Sequence, residues 1–525
     1  MLECYYDISR VEEFEALFSG TYIHEHPTAE KNAHLILKFN FSQVSSEIEK
    51  VEASFNTHVR NCLFFFGKKY RSVLDDDYFK MMDSYPEALH QLEFALNYIG
   101  SQGLKVYVFI DEYDNFTNTI LSTAGQSQYH ELTHGAGFLR FFFSLLKGAV
   151  DRVDAGVSRM FITGVSPVTM DDVTSGFNIG TNISLNPKFN ELLGFTKSDV
   201  LDILNYYQNN GFQKLPDLND TLALMTVWYD NYRFSKHAST HLFNTDMVLY
   251  FVKNLLEFGR YPDEMIDPNI KVDYAKLRYL IVIDKRLNGN FSRLKVILET
   301  GKTRADIVPS FPVEYLRKPE NFISLLYYFG LLSYKGEDEL IIPNRTVQKL
   351  MYSYLREGYE DGNVFNIDLW EFANLVCDMA IEGKWQAVFD FLASEVDKQT
   401  SIRDYLSGEK VIQTFLLAYL NVTDYYMTCT EAEMGKGFVD LYLEPFFTKY
   451  EKIKYAYLIE LKYITRSEFT QECLEDKIKD AKSQLLQYAN DSRVIKRNKG
   501  VTLKLVMLIF RGWELVHCEE VESDK

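Results

Sequence analysis

The chain has 525 residues, 46% apolar and 15% aromatic with only 12 Pro, a composition that excludes an extended disordered protein and predicts two to four domains. Its net charge of −18 argues against a protein that coats nucleic acid non-specifically, although not against a local basic groove. The six cysteines form no CxxC pair, no apolar run approaches the roughly 18 residues of a membrane span, and MLECYYDISR lacks the zones of a signal peptide. A reducing, cytoplasmic setting without membrane contact is therefore expected.

Residues 1–20 carry Leu2, Tyr5, Tyr6, Phe14, Leu17 and Phe18 at helical spacings. HLILKFNFS (His34–Ser42) reads as a strand, and a long helical tract leads from it to Gly103. In KVYVFIDEYDNFTN, Val106 to Ile110 form a buried strand that delivers Asp111 and Glu112 at its carboxyl end, where open α/β sheets bind ligands. A strand ending in Asp-Glu has the form of a Walker B motif, the first acid holding Mg²⁺ and the second orienting a water. The alternative is a buried strand running into a solvated acidic turn. Phe138, Phe141, Phe142, Leu145 and Leu146 then form one helical stripe, and RMFITGVSP (Arg159–Pro167) is a further strand containing Thr163 and Gly164. Strands alternating with helices predict a parallel α/β sheet.

The series IDEYD, FITGVSPV, GFTKSDV (Gly194–Val200), WYDNYRF (Trp228–Phe234) and LFNTDMV resembles, in order, bacterial AAA-like ATPases fused to a C-terminal PD-(D/E)XK nuclease-like domain. The resemblance implies a P-loop-type ATPase core with Asp111 and Glu112 as the Walker B acids and Thr163 as the sensor of the γ-phosphate. One departure stands out. In that family a glycine-rich phosphate loop precedes the helix equivalent to MLECYYDI, and this sequence starts inside that helix. Phe66-Gly67-Lys68-Lys69 lacks the Ser or Thr of such a loop, and Gly301-Lys302-Thr303 has Val296 where its first glycine belongs. Both read as surface turns. Loss of the loop-bearing strand beside the acid-bearing one is expected to leave two inner strands with unpaired edges. The expectation is that Met1 is internal to a longer natural chain or that the domain has decayed. ATP is then a cofactor only if the natural protein supplies the loop.

Residues 216–360 read as mostly helical, with a strand pair near GLLSYKGEDELIIPN (Gly330–Asn344) that resembles a winged-helix-like lid; its acidic turn favours a lid or spacer over a DNA reader. Residues 361–400 read as connecting helices. Beyond 400, Glu409 opens a helix with Val411, Ile412, Phe415, Leu416 and Tyr419 on one face, Asp440 lies in the strand Gly435–Pro445, Glu460 and Lys462 lie in the strand Tyr455–Ile464, and Gln484 and Tyr488 lie on a helix. That order resembles the restriction-endonuclease-like α/β fold of the PD-(D/E)XK nucleases. Strand alternation puts Glu460 and Lys462 on one face, with Leu461 packing the other and offering its carbonyl to a metal. Asp440 and Glu460 then pair around Mg²⁺ or Mn²⁺, and Lys462 positions a water or stabilises the developing oxyanion. Glu409 serves a second metal or supports the first, and Gln484 orients the nucleophile or touches a phosphate. The alternative is a sheet with solvated charges on one face. Arg493, Lys496, Arg497 and Lys499 either contact DNA phosphates or form a solvated loop, and the histidine pairs 24/26, 130/134 and 237/241 read as structural.

The domain division expected is 1–215 (incomplete ATPase core), 216–360 (lid), 361–400 (connector) and 401–525 (nuclease-like). The function expected is an ATPase-coupled, metal-dependent nuclease acting on DNA or RNA, with homo-oligomerisation left open. The alternative is a non-catalytic regulatory or scaffold protein built on a degenerate ATPase domain.

Overall fold

The computed structural model describes residues 1–522 except 124–125, 136, 151–155, 166–179, 211–215, 269–281, 284–285, 317, 435–436, 448 and 499. The chain divides into two units, Met1–Ile183 with Ile307–Phe329, and Ser184–Asp306 with Gly330–Lys525.

The first unit is built on a parallel sheet of β1 (Leu35–Asn40), β2 (Val106–Asp111) and β3 (Val157–Ile162), in the order β1-β2-β3. Residues Ser166 and Pro167 of the expected third strand lie outside the described residues. The register runs from Leu35↔Val106 to Asn40↔Asp111 on one side of β2 and reaches Ile110↔Ile162 on the other. The expected gap beside β2 is therefore not present, because β2 is hydrogen-bonded to a neighbour on both sides. Alternation sends Leu35, Leu37, Phe39, Val106, Val108 and Ile110 to one face and Ile36, Tyr107 and Phe109 to the other.

The first face packs on α1 (Val51–Lys69), α2 (Ala88–Ser101) and, after α3 (Asn115–Thr123) and α4 (Gln126–Thr133), on α5 (Phe138–Val150). Phe142 is the hub, with ring centroids 5.2 Å from Phe39, 5.6 Å from Phe41 and 5.4 Å from Phe55. The stripe of α5 departs from expectation: Phe138, Leu139, Phe142, Phe143 and Leu146 are buried, whereas Phe141 is 41% exposed.

The N-terminal stretch is not one helix. It breaks into Leu2–Tyr6, a 3₁₀ segment Ile8–Glu13 and Phe14–Phe18. Asp7 is extended, pairs with His34, and its buried carboxylate accepts from Ser9, Lys69 and the Tyr70 hydroxyl. Tyr70 in turn accepts the Ile36 N–H at 2.8 Å, while Tyr6 and His58 take the N–H groups of His34 and Asn40. Side chains and a chain crossing thus engage most of the outer edge of β1.

In the second unit, α6 (Gly289–Thr300) and α7 (Arg345–Asp361) flank a small antiparallel sheet in the order Lys302–Thr303, Leu340–Ile341, Ser333–Tyr334. Next come α8 (Leu369–Glu382), α9 (Trp385–Lys398) and α10 (Glu409–Leu420). Then β4 (Tyr426–Met434), β5 (Gly437–Pro445), β6 (Tyr455–Ile464), α11 (Gln471–Ala489), β7 (Thr502–Arg511) and β8 (Glu514–Val521) complete a five-stranded sheet ordered β8-β7-β6-β5-β4. Only β6 and β7 run parallel, and α11 lies in the crossover that such a pair requires.

Helices α8 and α9, expected as connectors, pack on this sheet. Tyr457 donates to the Met379 carbonyl at 2.8 Å and the Trp385 indole donates to Glu520 at 2.9 Å. Helix α10 is buried all round from Ile412 to Leu420, more than a single apolar face predicts. Buried Arg345 of α7 donates to the carbonyls of Tyr426 and Thr428 on β4 at 2.9 and 3.2 Å. No helix among the described residues is long and apolar enough to cross a membrane.

Candidate functional site

In the first unit, β2 ends in Asp111 and Glu112, and the chain after β3 brings Thr163 to them. The Thr163 hydroxyl donates to Asp111 Oδ1 at 2.6 Å. Main-chain bonds Thr163 N–H to Ile110 (2.8 Å) and Tyr113 N–H to Thr163 (3.0 Å) fix the two loops together. Glu112 has φ of +51°, a left-handed conformation that costs a non-glycine residue on the order of 1–3 kcal/mol. Its carboxylate accepts from Asn115 at 2.5 Å.

The residue that sequence reasoning missed here is Asp114. It is 2% exposed, accepts the Val165 N–H at 3.2 Å and the Asn118 amide at 2.7 Å, and so ties the acid loop to the loop after β3. Gly164 is required by close approach, since a Cβ there would lie 2.3 Å from the Tyr113 ring and 2.5 Å from the Asp114 carboxylate.

Neither glycine–lysine segment supplies a phosphate cradle. Gly67 and Lys69 are inside α1, not in a turn, and Lys69 is engaged by Asp7. Gly301 is the left-handed cap of α6, followed by the two-residue strand Lys302–Thr303. The acids and the threonine are brought together; a nest of backbone N–H groups for a nucleotide's phosphates is not assembled by those two segments.

In the second unit, β5 and β6 carry the other set. Their antiparallel register runs from Leu443↔Tyr457 to Leu441↔Ile459, and the next residue of each strand beyond it is an acid, Asp440 on β5 and Glu460 on β6. The ladder changes at that step: Asp440 Oδ2 accepts the Leu461 N–H at 2.8 Å. Lys462 lies on the same face as Glu460, two residues on, and donates to its Oε1 at 2.6 Å, while the alternating Leu461 is buried. Glu460 is 2% exposed in the sheet's centre, and among the described residues its Oε2 accepts no hydrogen bond. The Oε1 of Gln484 on α11 is likewise buried and unsatisfied.

Burial, reinforced by the Asp440 charge, pushes the Glu460 carboxyl up to about 7. Burial also pushes Asp440 up to about 6; Glu409 adds to the rise, and the Leu461 N–H and Lys462 oppose it. Burial, then Glu460 and Asp440, raise the phenol of Tyr488 on α11. Two carboxyls held this close and this dry are costly when both are ionised. A divalent cation relieves that cost, and the donor set is all oxygen, as a hard ion prefers. The chemistry of these residues therefore fits a divalent metal, which Asp440 and Glu460 could hold.

Glu409, first residue of α10, raises both acids electrostatically but is not drawn with them into a three-donor cluster. Gln413 was missed: 5% exposed, one turn after Glu409, it donates to the main-chain carbonyl of Asp440 and holds β5 against α10. The i, i+4 spacing from Glu409 is the signal that could have found it. Among the basic residues, Lys496 is exposed and Arg497 pairs with Glu444 at 3.4 Å; the Arg493 side chain and Lys499 lie outside the described residues.

Residues 1–174 match the family described as Predicted AAA-ATPase, and residues 407–520 match the PD-(D/E)XK nuclease superfamily, whose members generally use divalent metal ions. The chain is 30% identical over 173 residues to a protein of Azotobacter chroococcum mcd 1 described as "Uncharacterized protein in vnfD 5'region", covering 33% of this chain and 29% of that relative. The chain thus spans less than a third of the length of the curated relative that it matches. No solved structure matches it.

Proposed function

We propose, from the premise that this chain joins an AAA-ATPase-like domain to a PD-(D/E)XK nuclease superfamily domain, that it is a metal-dependent nuclease cleaving phosphodiester bonds of DNA or RNA. The observation that carries the reading is Glu460, a buried acid that feels the Asp440 charge, gripped by Lys462 on one oxygen and, among the described residues, unsatisfied on the other. Mg²⁺ or Mn²⁺ held by Asp440 and Glu460 would supply charge neutralisation at the scissile phosphate and acidify a water.

The chain's own residues do the rest. Lys462 fixes the Glu460 carboxylate and brings an ammonium to the mouth of the pair, where it stabilises negative charge developing on phosphate oxygens. Gln484 Oε1 accepts from the attacking water and orients it. Leu461 N–H and Gln413 hold Asp440 from its side chain and its backbone. Glu409 adds negative charge at the rim, which strengthens cation binding.

Asp111, Glu112 and Thr163 fit the Walker B and sensor parts of a nucleotide site that those two glycine–lysine segments do not complete, which supports impaired ATP binding in this chain. The same observation favours the second reading, a regulatory or scaffold protein whose ATPase-like half serves partners. Incubating the protein with plasmid and single-stranded substrates in Mg²⁺ and in Mn²⁺ separates the two. Cleavage abolished by both Asp440→Ala and Lys462→Ala supports the nuclease. No cleavage, or cleavage that both variants retain, supports the scaffold.

A further inference from the structure

Beyond Lys462, the end of β6 carries a group of arginines around one tryptophan. In the parallel register of β6 and β7, Lys462 is level with Ile509 and Ile464 with Arg511. Side chains alternate along a strand, and partners in register share a face. Arg511 therefore lies on the face of Glu460 and Lys462, about 7 Å further along. The turn between β7 and β8 is tied to the same end by the Gly512 N–H, which donates to the Ile464 carbonyl at 3.0 Å. Trp513 follows in that turn, and Arg466 comes two residues after β6. All of these residues belong to the second unit.

The arginines are not equivalent. Arg403 donates to main-chain carbonyls at the end of α9, Asp397 at 2.7 Å and Val396 at 3.4 Å, and its guanidinium lies 4.8 Å from the Trp513 centroid. Arg511 lies over the Phe469 ring at 4.9 Å and donates to Glu514 Oε2 from Nε, at 2.9 Å, and from Nη2. Arg466 differs from both. Its guanidinium carbon lies 3.2 Å from the Trp513 centroid and its side chain is 49% exposed. Among the described residues it makes no hydrogen bond, and its ion-pair contact, with Glu514 Oε1, is long at 3.6 Å. The turn is shaped for this stacking: Gly512 has φ of +60°, and a Cβ there would lie 3.2 Å from Arg466 Nε.

Contact with an aromatic face holds a guanidinium in place without consuming any of its five N–H donors. A planar fork fixed in this way suits the two free oxygens of a phosphodiester, which it can take bidentately. Glu514 is the acid that both Arg466 and Arg511 meet, so one of their two positive charges is left over. We propose that Arg466, stacked on Trp513, is a phosphate receptor that holds a nucleic-acid strand beside the acid pair. The receptor reads backbone and no base, so it serves DNA and RNA alike. Arg511 adds positive charge on the face of the acids, and Arg403 backs the indole. The receptor's part in cleavage rests on the nuclease reading; its binding of a strand does not.

The test uses the full chain in chelator, where binding is measured without cleavage, by anisotropy of labelled oligothymidylate and oligouridylate across a range of salt. Arg466→Gln is expected to weaken binding of both about tenfold and to lower the slope of log affinity against log salt by about 0.7, the loss of one phosphate contact. Arg466→Lys should restore the slope and only part of the affinity, because it returns the charge without the fork. Absence of binding by the parent, or affinity and slope unchanged in Arg466→Gln, overturns the receptor. Should Arg466→Gln not fold, Glu514→Gln decides. Tighter binding supports the receptor, since a folding defect does not tighten binding, and unchanged or weaker binding overturns it. Cleavage by the parent in Mg²⁺ is scored separately. Asp440-dependent cleavage with binding indifferent to Arg466 overturns the receptor and leaves the nuclease. Arg466-dependent binding by a chain that cleaves nothing supports the receptor and counts against the nuclease.

Discussion

The ammonium of Lys462 lies 2.6 Å from Glu460 Oε1, and among the described residues it is the one charged donor on that buried carboxylate. Replacing Lys462 with Met removes the donor and keeps the stem. Cleavage is expected to fall about 10²-fold or more, as for the loss of a positioned electrostatic group. Breaking a buried pair leaves the surviving charge uncompensated, so the variant is also less stable, by more at pH 8 than at pH 6, where Glu460 takes up a proton. Thermal melts at the two pH values, beside a cleavage assay, check this. An equal loss of stability at both would show that Lys462 does not hold the Glu460 charge.

The acid pair also sets a pH dependence in metal-free protein. Unfolded Asp and Glu titrate near 4, whereas folded Asp440 and Glu460 titrate at about 6 and about 7. Between pH 4 and 7 the folded state therefore binds more protons than the unfolded one, and stability falls as pH rises through that window. With about 1.4 kcal/mol for each tenfold change in proton affinity, the effect is on the order of a few kcal/mol. Mg²⁺ binds the deprotonated pair and should flatten the slope. Tm measured from pH 4.5 to 8 in chelator and in Mg²⁺ reads this out. If Asp440→Asn with Glu460→Gln leaves the chelator curve unchanged, the slope has another source.

Phe141 and Phe142 are neighbours with opposite fates, which makes a matched pair. Phe142→Ala empties the centre of the aromatic cluster and should cost about 3–5 kcal/mol. Phe141→Ala, on a side chain 41% exposed, should cost well under half of that. Urea unfolding at constant m-value compares them, and similar midpoints would refute this helix's orientation.

Gly164→Ala pushes a methyl group into Tyr113 and Asp114 and should destabilise the first unit by about 1–3 kcal/mol. The disturbance should spread to the Asp111–Glu112 loop, measurable as faster amide exchange at residues 111–116. Unchanged exchange there would separate Gly164 from the acid loop.

Much of this was readable in advance where local pattern and packing agree. Strand β2 was legible because both of its faces are buried, and Glu460 with Lys462 because a two-residue period fixes one face. The failures are long-range. The N-terminal stretch has helical spacing, but Asp7 finds Lys69, Tyr70 and His34, and these bonds outweigh propagation of a helix. Phe141 fits an i, i+3 stripe as well as its neighbours do, and only the sheet decides which side faces in. Strands β4, β7 and β8 were not singled out. The outermost, β8, is half-exposed, so its sequence carries little apolar signal. Asp114 and Gln413 looked like ordinary polar residues because what they hold is backbone, which no side-chain pattern displays.

The two margins of the first unit's sheet are unequal. Tyr6, Tyr70 and His58 take the N–H groups of His34, Ile36 and Asn40 along the outer edge of β1, so most of that margin is already engaged. The opposite margin belongs to β3, which has a single strand neighbour among the described residues. That margin is the more open of the two, and it lies on the strand that leads directly into Thr163. A strand added there would bear on Asp111 through the Thr163 hydroxyl and on the acid loop through the main-chain bonds of Thr163 and Val165.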